Sequence, residues 1–203
     1  MNSIKLNSVS LYAILAYSTV TSTGPTIISG NVGVSPGTSI TGESTITNGS
    51  IEAGNTNSAI ALNDSTNAYL DGCKRIPTKL ITGNLGGQKL YRGVYKSTDG
   101  LEISSGDLIL DAQHDTTSVF IFQMETTFTM SAGRQIILTN GAKASNVFWI
   151  VGSSAVFETT VTTVGTIIAY ASISLKTNAK VNGRVLALNG SVTMDSNTIV
   201  MPL

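Results

Sequence analysis

Apolar and polar positions alternate with period two along much of this chain. From Ser118 to Pro202 the alternation is organised into a unit that occurs four times. Each unit holds two short strands and a turn. The opening strands, at 119–122, 147–150, 167–170 and 185–188, are almost wholly apolar. The second strands, at 127–130, 154–157, 172–175 and 191–194, alternate a small polar or β-branched residue with a large apolar one. The last three units start about 18 to 20 residues apart, the period of a stacked-coil solenoid. Successive side chains of a strand point to opposite faces. Phe128, Ala155, Ile173 and Val192 therefore face a core. Thr127 and Thr129, Ser154 and Val156, Ser172 and Ser174, and Ser191 and Thr193 face outward as a column. The same hydroxyl–apolar–hydroxyl phrase occurs earlier as Thr19-Val20-Thr21 and Thr45-Ile46-Thr47. Aligning the strands adds Thr19, Thr21, Thr45 and Thr47 to the column. Gly100 and Glu102 join it around an inward Leu101.

Other segments carry different patterns. Residues 1–17 enter the fold, with Tyr12, Ile14 and Leu15 expected at the core. Residues 18–53 form the first coils, punctuated by Gly24-Pro25, Gly30-Asn31 and Ser35-Pro36-Gly37 turns. From about 57 to 75 the alternation stops. Ala59, Leu62, Thr66, Tyr69, Leu70 and Cys73 fit a helical stripe, with Thr56 or Asn57 as its N-cap and Pro77 as its stop. One helix in a β chain must bury its stripe along the side of the solenoid. Residues 80–117 return to turns and short strands. The expectation is a mostly β chain in one domain over 1–203, with its clearest coils at 118–202.

Composition narrows the function. The 203 residues carry 12 basic and 12 acidic side chains. That balance lacks the basic patch of a nucleic-acid binder and the polybasic run of a membrane anchor. No run approaches the roughly 18 apolar residues of a membrane helix. The short run at 11–17 is read as fold rather than leader, and any signal peptide is expected to have been removed from a secreted protein. Thr and Ser supply 51 residues and only 6% of the chain is aromatic, the profile of a turn-rich all-β fold. The lone Cys73 forms no intrachain disulfide and is read as a small buried hydrophobe. With one His and one Cys, the common zinc sets cannot form. His114 between Asp111 and Asp115 reads as a solvated turn. Asp107, Asp111 and Asp115 have no opposing acidic cluster, as glycoside hydrolysis requires. Gly83-Asn84-Leu85-Gly86-Gly87 lacks the spacing and the Lys of a phosphate loop. Calcium on that loop or on Asp99 is the alternative left open. No catalytic residue, cofactor or metal is assigned.

Several phrases follow one another along the chain: the opening at 13–26, Gly30-Asn31-Val32-Gly33-Val34-Ser35-Pro36-Gly37, Ile40-Thr41-Gly42, Gly93-Val94-Tyr95-Lys96, Val119-Phe120-Ile121-Phe122-Gln123, Asn146-Val147-Phe148-Trp149 and Val181-Asn182-Gly183-Arg184. These phrases resemble those of the microbial ice-binding (antifreeze) proteins with an irregular β-solenoid fold. They occur in the family's order across roughly residues 11 to 202. The resemblance implies an irregular three-faced β-helix with one long α-helix alongside, and first coils displaced in space from chain order. It further implies a chemically mixed flat face that binds ice, thermal hysteresis, inhibition of recrystallisation, and no catalysis. Val156 and Glu102 stand where Thr or Ser is expected, and Gly100 leaves a bare spot beside Glu102.

The hydroxyl column fits that role physically. Strands of a sheet lie about 4.7–4.9 Å apart, and side chains on one face recur every ~6.6–6.8 Å. Thr is stiff at χ1, so little rotamer entropy is lost on binding. Ice is one periodic, flat ligand and a long polysaccharide is another. The competing ice face is that of the first strands, near Gln123, Ile150 and Tyr170. The rival function is a secreted carbohydrate-binding or adhesin-like solenoid, which would want exposed aromatics where Trp149 and most Phe residues read as inward. The partner expected is an ice surface, with no nucleic acid and no membrane, and the chain is expected to be a monomer. Of the sequons at Asn48, Asn63 and Asn189, the last includes Ser191, and a sugar there would spoil the flat face.

Overall fold

A computed structural model describes residues 1–202. Its core is a parallel β-solenoid of triangular section, with a 19-residue helix lying along one side. The strands obey the period-two pattern. Phe128–Met130, Ala155–Phe157 and Ile173–Leu175 each bury their first and last residues and leave the middle one half-exposed.

Coil order does not follow chain order. On the first face the strands Lys79–Leu80, Gly93–Ser97, Phe120–Met124 and Val147–Val151 stack in sequence, followed by Thr162–Ala169 and Lys180–Ala187. Lys180–Ala187 then pairs with Tyr12–Ala16, placing Val185 beside Ile14. Asn31–Val34 and Ile51–Ala53 complete the stack. The N-terminal coils therefore sit beyond the C-terminal one, and the chain must return the full length of the solenoid after Ala53. That return is the helix α1 (Thr56–Lys74). Nineteen residues at 1.5 Å each give about 28 Å, most of the axial distance across eight strand spacings of ~4.8 Å.

The coils differ in width. Register partners lie 27 residues apart at Gly93, Phe120 and Val147, but 18 apart at Ile167 and Val185. The extra length holds aromatic filling. Phe122 stacks on Trp149 with centroids 4.1 Å apart, and Phe128 lies 4.4 Å from Trp149. The Trp149 Nε1 donates to the Val164 carbonyl at 2.9 Å, so its one polar atom is satisfied in the core. The narrow coils are filled by Ala13, Ala16, Ala169 and Ala187 with Val and Ile.

The Asn-Gly-Arg phrase acquires a physical meaning here. Thr162–Ala169 and Lys180–Ala187 run without interruption around a corner, and Gly165 pairs with Gly183 at the bend. A Cβ on Gly183 would lie within van der Waals range of the Gly165 carbonyl oxygen, closer than any side chain tolerates. Arg184, buried just past the bend, donates from Nη2 to the Ser10 carbonyl at 2.8 Å and so pins the N-terminal turn Asn7–Leu11. Burial without a carboxylate partner pulls its pKa down.

The helix departs from the expected stripe. Its buried residues are Ser58, Ala61, Ser65, Ala68 and Gly72, with Leu62 and Tyr69 packed against the same cluster. Ala59, Thr66, Leu70 and Cys73 are exposed. The reason is reciprocal bulk. The covered face of the solenoid supplies Ile121, Phe148, Ile150, Ile168 and Leu186, so the helix approaches closely with small residues. Asn55 is the N-cap, in a reciprocal pair with Ser58 in which each side chain serves the other's backbone N–H. At the other end Gln123 Nε2 donates to the Gly72 and Arg75 carbonyls, closing the helix C-terminus.

Candidate functional site

The solenoid has three faces, and their outward side chains decide what each can do. The first is buried under α1. The competing site of Gln123 and Ile150 is thereby removed, since both are buried, Gln123 in capping the helix and Ile150 against Gly72. Only Tyr170, at the rim, is exposed.

The second face is bare. Parallel pairing sets its residues in register. Glu102 pairs with Thr129, Thr129 with Val156, Val156 with Ser174, and Ser174 with Thr193. Thr193 then pairs with Thr21 across the non-sequential junction, and Thr21 with Thr41. The register thus aligns Glu102, Thr129, Val156, Ser174, Thr193 and Thr21 in one row. Two residues earlier on each strand, Gly100, Thr127, Ser154, Ser172, Ser191 and Thr19 form a second row, extended by Ser39 beside Thr19. Inward partners Leu101, Phe128, Ala155, Ile173, Val192 and Val20 are buried.

Thr45 and Thr47 do not belong to this face. The strand Ser39–Thr47 turns a corner at its middle, and Thr45 pairs with Ile27 and Thr47 with Ser29 on the third face. Ser39 and Thr41 occupy the positions assigned to them. Both halves of the strand carry a hydroxyl–Ile–hydroxyl phrase, and the bend between them shifts the register between Ser22 and Thr26 of the neighbouring strand.

The hydroxyls of the bare face are held by one another as well as by their backbone. Thr193 Oγ1 donates to Ser174 Oγ at 3.1 Å, and the Ser191 N–H donates to Ser172 Oγ at 3.1 Å. The array deteriorates toward one end. Glu102 is exposed and accepts from Ser104 Oγ at 3.1 Å. Gly100 leaves a shallow notch between Asp99 and Thr127, and a Cβ there would lie 2.8 Å from the Thr127 carbonyl oxygen.

The third face is less uniform. Thr162, Lys180, Thr198, Ile27 and Thr45 follow one another in register, with Lys180 and Ile27 exposed among the hydroxyls. In the wide coils Lys89–Leu90, Leu108–Asp111 and Ile136–Thr139 split off as a separate three-stranded sheet, so this face is not continuous.

A model of the ice-binding-like family matches residues 14–200. The chain belongs to that family. An ice-binding protein of Nostoc sp. (strain HG1) is 41% identical over 197 residues, covering 96% of this chain and 72% of that protein. An ice-binding protein of Colwellia sp. is 32% identical over 219 residues, covering 98% of this chain and 84% of its own. The crystal structure of an ice binding protein from an Antarctic biological consortium matches with a TM-score of 0.97 and 44% identity, over 100% of this chain and 93% of that one. That of an ice-binding protein from the Antarctic ascomycete Antarctomyces psychrotrophicus matches with a TM-score of 0.93 and 41% identity, over the whole of both.

The remaining polar residues singled out from sequence have local partners. Asp111 is held below the usual carboxylate range by Asn140, and then by the Gln113 N–H. Asp115 is held low by Thr117, and also pairs with Arg92 at 2.7 Å. His114 sits exposed between them in a left-handed turn with φ of 65°. Asp99 accepts from the Gly100 N–H and from Thr126 Oγ1. Among the described residues no three of His, Cys, Asp and Glu gather where they could hold a metal ion. Among the described residues no helix is long and apolar enough to cross a membrane. Cys73 is exposed rather than buried, because the helix turns its small residues, not its thiol, toward the sheet.

Proposed function

We propose that this protein adsorbs to ice through the bare hydroxyl face, producing thermal hysteresis and inhibiting recrystallisation, without catalysis. The carrying observation is the register. Thr129, Val156, Ser174, Thr193, Thr21 and Thr41 stand in one unbroken row across a junction that chain order alone would not join. Family membership supports the ligand, and the relatives named above are ice-binding proteins. Strand spacing fixes the residues about 4.8 Å apart across coils. Methyl groups order nearby water and hydroxyls anchor it. Ordered water bridges nearly as well as direct hydrogen bonds, so a layer held by many weak, rigid contacts merges with the crystal and pins its growth front. The reading extends to a secreted monomer acting on extracellular ice.

Nanolitre osmometry on the purified protein tests this directly. The native chain is expected to open a gap between freezing and melting and to shape crystals. Thr193→Tyr, at the centre of the row, should remove most of the gap while changing stability by about 0.5 kcal/mol or less. Thr45→Tyr, on the third face, should leave the gap intact. The opposite pattern would move the site to the third face, and no gap from folded native protein would sink the ice reading.

A further inference from the structure

A second surface of this molecule has the chemistry of a sugar site. Where α1 ends, a groove opens along the corner between the covered face and the hydroxyl face. Tyr69, Lys96, Gln123, Glu125, Ile150 and Tyr170 are among the residues that line it. Tyr170 is 54% exposed, with its ring at the edge of the groove. Its ring stands 6.3 Å from that of Tyr69, tilted by 43°, so the two form an open apolar wall rather than a closed stack. Two coils along the same corner Tyr17 is also exposed, at 40%. Ala169, Ala187 and Ala16 are in register, so Tyr170, the buried Leu188 and Tyr17 are their successors in neighbouring coils. The two backbone positions are thus about 9.5 Å apart along the axis.

Polar groups converge on the same groove. Gln123 is only 6% exposed, and its Nε2 is committed to the helix-end carbonyls. That fixes the amide in the groove wall. Lys96 Nζ and Glu125 lie 3.5 Å apart at the rim, with their side chains 40% and 56% exposed. Together they place ammonium donors and a carboxylate acceptor side by side. An apolar aromatic wall with few fixed polar groups is the general form of a small-molecule site. Rings of amphipathic tyrosine suit the C–H face of a pyranose, and adjacent donor and acceptor suit its vicinal hydroxyls. Because the Lys96 and Glu125 charges cancel, the groove offers no net attraction to an anionic or cationic sugar.

We infer that this groove and the tyrosine corner beyond it bind a neutral polysaccharide, laid along the solenoid axis beside the proposed ice face. Affinity electrophoresis tests it, with the full chain run through native gels containing a neutral β-glucan, a neutral galactomannan, or alginate as the charged control. The native protein is expected to be retarded by a neutral polymer and not by alginate. Tyr170→Ala should weaken retardation on the order of tenfold, as loss of an aromatic anchor does, and Lys96→Ala should weaken it less. Both variants should keep the hysteresis gap, which separates this site from the ice face and verifies the fold. No retardation by either neutral polymer, retardation by alginate alone, or retardation unchanged in Tyr170→Ala would each overturn the assignment.

Discussion

The covered face and the hydroxyl face are built from the same coils on the same strand spacing, and they end in opposite states. Outward positions on the first are Ile121, Phe148, Ile150, Ile168, Leu186 and Leu15, all at most 1% exposed. Outward positions on the second are Thr129, Val156, Ser174, Thr193 and Thr21, all at least partly exposed. A solenoid coil gives each of its faces an equal backbone, so the side chains alone decide which face needs a cover. Large apolar residues left in water cost about 25 cal/mol for each Å² exposed, and the chain meets that cost with α1. Short hydroxyl side chains carry little such cost. The bare face can therefore stay flat and open, and its rigidity is supplied from beneath by the stacked core.

Replacing a covered residue with one from the bare face should be the most damaging exchange. Phe148→Ser removes a large ring from between sheet and helix, and is expected to cost about 3–5 kcal/mol. In a chain of this size that lowers Tm by roughly 10 °C. A comparable change toward a hydroxyl on the bare face, Val156→Thr, should stay within about 0.5 kcal/mol. Calorimetry on the pair measures the contrast, and equal losses would break it. Gly72→Leu attacks the cover from the helix side. A Cβ there would lie 2.5 Å from Ile150 Cδ1, closer than packed side chains approach. Overpacking of this kind costs about 1–3 kcal/mol, partly offset by ~1 kcal/mol of improved helix propensity. The expected result is a modest fall in Tm and earlier amide exchange in α1 than in the solenoid strands.

How far the two faces were legible in sequence follows from their packing. The rows at Thr129, Val156, Ser174 and Thr193 were readable because each strand is short and each coil adds one copy of the same phrase. The third face was harder. Thr45-Ile46-Thr47 and Ser39-Ile40-Thr41 both satisfy period two, and only the bend inside Ser39–Thr47 tells which belongs where. The helix stripe was misplaced because large residues mark a buried face only where the helix itself supplies the bulk. Here Ala61, Ser65, Ala68 and Gly72 do the packing, and the bulk sits on the sheet. A run of small residues at spacings of four, three and four was the available signal. The displaced N-terminal coils leave no trace in local periodicity, because pairing of Tyr12–Ala16 with Lys180–Ala187 is a contact between distant segments. That order came from the resemblance alone.

The bare face also varies along its length, and its weak end offers a gain of function. Glu102 stands in the row beside Thr129, with a charge that holds its own water and a side chain longer than its neighbours. Glu102→Thr should extend the hydroxyl row by one coil. The expected effect is an increase in hysteresis by a fraction of the native value, read by osmometry at equal concentration. An unchanged gap would confine the working surface to the coils from Thr129 to Thr41.

The smallest expected effect concerns a tether that only the covered face possesses. Asp64 on α1 accepts from the N–H of Ser8 at 3.1 Å and from its hydroxyl at 2.5 Å, joining the helix to the turn that leads into the first strand. The Ser8 hydroxyl, chiefly, holds the Asp64 carboxyl below its ordinary range. A folded-state pKa below the unfolded value stabilises the protein at pH above the unfolded carboxylate value of ~3.9, and the contribution is lost as pH falls through the folded value. Asp64→Asn keeps an acceptor for Ser8 but removes the charge, so at pH 7 it should cost below about 1 kcal/mol. The stability difference from the native chain should stay constant above pH ~5 and shrink below it. A difference that persists undiminished at pH 2 would mean the tether works by shape rather than charge. Because the tether lies under the helix and not on the hydroxyl face, hysteresis should be the same in both proteins at every pH where both are folded.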